Sequence, residues 1–237
     1  MRDKQNNSCS YLKFNNQHSI WFGFKEDYNL FAVGHMSLGY LIGKTSAKLL
    51  KIEVNIPLIL LLSIIPDIDI ILGVFLGVPL HRGPTHSLIF AFMVFVPFLI
   101  FFKKRALPYF FSLASHSVLA DFFVGGNIQL LWPISESEMG ASQLGFSLIQ
   151  ITDPINIALE LGMFIFALIV LLKSRDLFKF FRSNLLNLIL IIPVFTVLLP
   201  TFVSYPLPVP NLLILPHLFF LIVFIVSSLI ALKKILI

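Results

Sequence analysis

Residues 54–78 read VNIPLILLLSIIPDIDIILGVFLGV, an apolar run whose only charges are Asp67 and Asp69, placed directly after Pro66. About 20 consecutive apolar residues suffice to cross the hydrocarbon of a bilayer, so this segment predicts a membrane helix broken near its middle by proline. The two carboxylates are out of place there. Each costs about 2.5–3.5 kcal/mol at the centre of a membrane helix unless a partner neutralises it.

The rest of the chain agrees with a membrane protein. Of 237 residues, 57% are hydrophobic and 12% charged, with 26 Phe and a mean hydropathy of +0.92. A soluble domain carries roughly one-quarter charged residues and could not cover this much apolar surface. One Cys excludes an internal disulfide and a Cys-based zinc knuckle, so any metal must be held by His and carboxylate. Residues 1–28 are a polar tail without the apolar core of a secretory signal. From Leu30 onward the expected fold is all-α, a polytopic transmembrane bundle of six to seven spans. These are 30–43 (short and rich in Gly and Ser), 54–78, 84–102, 106–124, 154–172, 184–203 and 211–232. Residues 29–173 form the expected metal-site domain and 174–237 a C-terminal pair of membrane helices.

Lys44, Lys48 and Lys51, then Lys103, Lys104 and Arg105, then Lys173, Arg175, Lys179 and Arg182, then Lys233 and Lys234 recur at alternate span ends. They share one face, predicted cytoplasmic. The net charge of +5 and pI near 9.4 follow from these short loops. No continuous basic stripe interleaved with aromatics exists to engage nucleic acid, and no nucleic-acid partner is expected.

The remaining polar residues of the first five segments are His35, Asp67, Asp69, His81, Arg82, Thr85, His86, Ser87, His116, Asp121 and Asp153. With the predicted orientation they gather at one depth, in a cavity facing away from the cytoplasm. Each also has a plainer reading. Asp67 could cap the second half of the broken helix, and Asp153 precedes Pro154 as an N-cap would. His116 and Asp121 could be a His–Asp pair between helices; five residues apart, they lie about 140° apart on an ideal helix and converge only if that helix is distorted. Taken together, imidazoles and carboxylates without thiolate make a mixed N/O site suited to one or two divalent metals, Zn first, with Mn or Fe as alternatives.

The succession of Gly34-His35, PDID at 66–69, HRGPTHS at 81–87, SHSVLAD ending at Asp121, the pair Gly125-Gly126, WPIS at 132–135 and Asp153-Pro154 resembles the membrane-bound metal-dependent hydrolase family. This is the YdjM-like group, described as LexA-binding, inner-membrane-associated hydrolases. The resemblance covers roughly residues 33–160, and its most specific element is HRGPTHS with the upstream PDID. It implies a multi-pass protein of a bacterial or archaeal cell membrane. The metal ligands it implies are His35, Asp67, Asp69, His86, His116 and Asp121, with His81 and Asp153 as further candidates. Arg82 would hold an anionic substrate oxygen, and Thr85 and Ser87 would donate to the ligands. The expected activity is hydrolysis of an ester by metal-activated water, the substrate being a phosphoester of a lipid or lipid-linked molecule, with Asp69 or Asp121 accepting the proton. A metal or proton transporter and a catalytically silent scaffold are the alternatives.

Overall fold

The computed structural model describes residues 31–77, 80–147, 149–203 and 208–236. The polar tail expected over 1–28 lies outside them. Among the described residues the chain is helical, with only isolated bridges at Val124–Ile149 and Ile128–Met139. The helices are α1 (Ala32–Leu49), α2 (Ile56–Ile64), α3 (Ile68–Leu76), α4 (Leu88–Phe102), α5 (Leu107–Ser115), α6 (Pro154–Lys173), α7 (Ile191–Pro193), α8 (Leu199–Phe202) and α9 (Ile214–Leu236).

Four helical stretches are long and apolar enough to cross a membrane: Ile56–Gly73, Pro154–Lys173, Leu185–Phe202 and Asn211–Leu236. The expected count of six to seven is therefore not reached on these criteria. α4 has 15 residues and α5 only 9 before the helix changes type, while α1, at 18 residues, carries Lys44 and Lys48 in its second half. α1 packs against α2, α5 and α6, and the 185–202 stretch packs against α2 and α9. Phe166 and Ile169 on α6 and Ile222 and Leu229 on α9 point outward, as side chains facing lipid do.

The break in the second segment has the expected cause. α2 opens with Asn55, whose side chain accepts from the Leu58 N–H, and it ends where Pro66 removes a backbone donor. A single 3₁₀ turn, Ile65–Asp67, joins it to α3. Asp67 precedes α3 in sequence but makes no side-chain cap. Its carboxylate is turned elsewhere.

The crossing of α1, α2 and α5 is built from small side chains. Gly39 lies where a Cβ would collide with Ser63 and touch Ser112, so the three backbones approach more closely than larger residues allow. The Ser112 hydroxyl donates to the Ile59 carbonyl at 2.9 Å, and the Ser63 hydroxyl to that of Leu60 at 2.8 Å. These residues sit one helical turn from His35, Asp67 and His116 respectively, so the same contact sets all three at one level.

At the other end of α1, buried Asp176 accepts from Tyr40 at 3.0 Å and Ser174 at 2.8 Å and pairs with Lys44 at 2.5 Å and Lys179 at 2.8 Å. Burial opposes ionisation of Asp176, but the bonds from Lys179 and Lys44 outweigh it and hold the carboxyl below its ordinary range. His217 is buried and donates to the Leu198 carbonyl at 2.8 Å, at the end of a π-helical turn, Val194–Leu198.

Replacing Gly39 by Ala should lower stability by about 1–3 kcal/mol despite alanine's better helix propensity, because the contact with Ser63 cannot relax without separating α1 from α2. Thermal unfolding in detergent measures it, and an unchanged midpoint would contradict the close packing.

Candidate metal centre

His35 on α1, Asp67 at the 3₁₀ break, His86 in the Pro84–His86 turn, and His116 and Asp121 at the end of the α5 segment are all buried. His116 Nε2 lies 3.2 Å from His86 Nε2, 3.2 Å from Asp67 Oδ1 and 3.2 Å from Asp121 Oδ2. His86 Nε2 lies 3.4 Å from Asp67 Oδ1 and 3.2 Å from Asp121 Oδ2. Two atoms each bonded at about 2.0–2.1 Å to one four-coordinate ion stand about 3.3 Å apart, the spacing seen across all five pairs. His35 closes the group: its ring stacks on that of His116 with centroids 3.9 Å apart, and its Nε2 is 3.4 Å from Asp121 Oδ1.

The hydrogen bonds behind the imidazoles assign their tautomers. His116 Nδ1 faces the Ser63 carbonyl at 2.8 Å and must donate to it, which leaves Nε2 with a lone pair. His86 Nδ1 lies 3.1 Å from the Thr85 hydroxyl, whose own proton goes to Asp69, and 3.2 Å from Asp69 Oδ2, so it donates on that side and its Nε2 is also a lone pair. The atoms that meet in the middle are therefore all acceptors. Asp67 Oδ1, both Asp121 oxygens and both His35 ring nitrogens are buried without a hydrogen-bond partner. Three overlapping triads satisfy the spacing of a metal site: His35–Asp67–His116, Asp67–His81–His86 and His86–His116–Asp121. The donor set fits a divalent cation, whose charge matches the two carboxylates Asp67 and Asp121.

The convergence of His116 and Asp121 depends on local backbone. The stretch His116–Asp121 is a π-helix, with the Phe122 N–H bonded to the Ser117 carbonyl five residues back at 3.0 Å. That wider turn returns positions five apart to one face, whereas an α-helix would splay them.

Other residues named from the sequence take different places. Asp69 stands behind His86, accepting from the Thr85 hydroxyl at 2.5 Å and facing His81 Nδ1 at 2.9 Å. It orients imidazoles as a carboxylate behind a metal-bound histidine does. Ser87 caps α4, accepting from the Phe90 N–H at 3.0 Å and donating to the Pro84 carbonyl at 2.9 Å. Arg82 is buried and donates through Nη2 to the Val124 carbonyl at 2.7 Å, tying the HRGPTHS turn to the chain just past Asp121. A side chain on Gly126, at φ +136°, would strike Arg82 Nη1, so that approach requires glycine. Asp153 stays at the N-terminus of α6, accepts from the Gln150 N–H at 2.8 Å, and belongs to none of the triads. Two buried polar residues absent from the expected set, Asn156 and Glu160, lie on α6. Their spacing of four, one helical turn, was the available signal.

The YdjM inner membrane protein family matches residues 31–206 of the chain. The chain belongs to that family. No curated protein and no solved structure matches it. This YdjM-family protein is thus a membrane protein with buried His/Asp groups able to hold a metal ion.

Thr85→Val removes the donor to Asp69 and loosens His86; metal affinity should fall about tenfold, read by chelator competition. Equal affinity in the variant would separate Thr85 from the centre.

Proposed function

We propose that this protein is a membrane-embedded, metal-dependent hydrolase acting on a phosphoester of a lipid or lipid-linked molecule, with its centre toward the non-cytoplasmic side. The observation that carries the reading is the convergence of acceptor atoms from His86, His116, Asp67 and Asp121 at 3.2–3.4 Å with no donor between them. Those four residues would hold the ion, with His35 beside them. When bound there, a Zn²⁺, Mn²⁺ or Fe ion supplies Lewis acidity and acidifies water near neutral pH.

The chain's own groups have separable roles. Asp69 fixes His81 and His86 through their Nδ1 atoms. His81, with a side chain 23% exposed beside three buried imidazoles, is the group we assign to proton exchange with solvent. Arg82 ties the chain at 124–126 to the HRGPTHS turn, and its guanidinium would be the group to hold a phosphoryl oxygen. In the reaction the P–O ester bond breaks, water delivers its oxygen to phosphorus, and its proton reaches the leaving oxygen. Asp121 lines the centre and is the nearer acceptor for that proton.

Transport is the less favoured reading. Beneath the ligands Gly39 closes on Ser63, and Tyr40, Ile59 and Leu60 below are fully buried, which supports a closed floor rather than a path toward the basic end. The orientation rests on the basic residues at the far ends of the helices.

Metal analysis of detergent-purified protein should find a transition metal in the wild type and little in Asp67→Asn or His86→Ala. Hydrolysis of phospholipid and lipid-phosphate substrates should be lost in parallel. Wild-type protein free of metal and indifferent to chelator would leave only the scaffold reading.

A further inference from the structure

α1 begins without a cap of its own. The residue preceding it is Phe31, and its first turn, Ala32-Val33-Gly34-His35, contains no Ser, Thr, Asp or Asn that could accept from the free amides. In an apolar setting those amides need a partner. A partner comes from α6: Glu160 Oε1 accepts from the Phe31 N–H at 3.0 Å, and Oε2 accepts at 3.1 Å from the Gly34 N–H, which it shares with the Phe31 carbonyl at 2.8 Å. Asn156, one turn earlier on α6, donates to Glu160 Oε1 at 3.0 Å and to the Ile151 carbonyl at 2.9 Å, holding the carboxylate in place. Both side chains are buried, Glu160 at 0% and Asn156 at 1%. They open a stripe on α6, Asn156, Glu160, Phe164, Ala167 and Leu171, that is its buried face.

A carboxylate that spans two amides of a first turn fixes both the rotation and the height of that turn. The next residue is His35, whose two ring nitrogens have no hydrogen bond and whose ring is located by its stack on His116. His35 thus has no side-chain tether behind it, unlike His116 with the Ser63 carbonyl and His86 with Asp69. We infer that Glu160 is the positioning residue for His35, acting through the backbone of α1 in place of the hydrogen bond that holds each of the other two imidazoles. The inference rests on the metal centre proposed above. It adds α6 to the elements that shape the site, although α6 contributes no ligand.

The test compares two buried carboxylates at opposite ends of α1. Glu160→Gln keeps shape and volume but turns one acceptor into a donor, so one of the two amide bonds is lost. Asp176→Asn does the same at the Tyr40 end, remote from the ligands. Each protein is titrated with Co²⁺ in detergent, following the ligand-field bands and the affinity, and its thermal midpoint is recorded. The expected result is that both variants melt earlier, that Glu160→Gln binds Co²⁺ about tenfold more weakly with altered bands, and that Asp176→Asn binds as the wild type does. Equal affinity and identical bands in Glu160→Gln and wild type would overturn this inference and leave the metal centre standing. Equal weakening in both variants would also overturn it, since the effect would then be general loss of stability. A wild type that takes up no Co²⁺ overturns both.

Discussion

Two imidazole nitrogens with lone pairs, facing each other at 3.2 Å between two carboxylates, constitute a repulsive arrangement in a place that water does not reach. Unscreened acceptors in such a setting repel more strongly than they would in water, and each has lost its hydration without a donor in return. A sequence that folds this way must reserve positive charge for the middle of the cluster. Ser63 and Asp69 take the outer N–H groups of His116 and His86, which turns the inner lone pairs toward the centre.

Holding that arrangement falls to backbone geometry more than to side-chain packing. The π-turn at 116–121 brings two ligands from one helix together, the 3₁₀ turn at Pro66 frees Asp67 from the α2 hydrogen-bond ladder, and the Gly39–Ser63–Ser112 contact draws three helices to a common level. Departures from α-helical hydrogen bonding are expensive in a bilayer unless the displaced groups find partners. Here the partners are supplied locally, by hydroxyls such as Ser115 to the Ser112 carbonyl at 2.7 Å. The same device recurs away from the site, where His217 satisfies the Leu198 carbonyl at the second π-turn.

Much of the centre was legible in the sequence because charges in an apolar chain are conspicuous. His35, Asp67, His86, His116 and Asp121 stand out on composition alone, and the proline before Asp67 announces the break. Relative placement was harder to read. Nothing in SHSVLAD distinguishes a π-turn from an α-helix, so the 140° separation looked like an obstacle when the backbone had already removed it. Asp69 reads as a ligand of the same kind as Asp67, and only the fold puts it behind His86. Ser87 reads as part of the motif while serving α4 as a cap. Glu160 escaped notice because its partners are backbone amides more than a hundred positions away, and a backbone amide leaves no mark in a sequence. The span count is unconfirmed for a related reason: apolar length signals burial in oil or in protein alike, and α4 and α5 are too short on their own to show which.

Protons could, in principle, relieve the crowd of acceptors in place of a metal. One proton shared between His86 and His116 answers a single pair of lone pairs and leaves the oxygens of Asp67 and Asp121 as they were. A proton on each imidazole would balance Asp67 and Asp121 but would set two N–H groups facing each other across 3.2 Å. A divalent ion would accept four lone pairs at once and balance Asp67 and Asp121 in charge, and separations of 3.2–3.4 Å among those atoms suit one such ion.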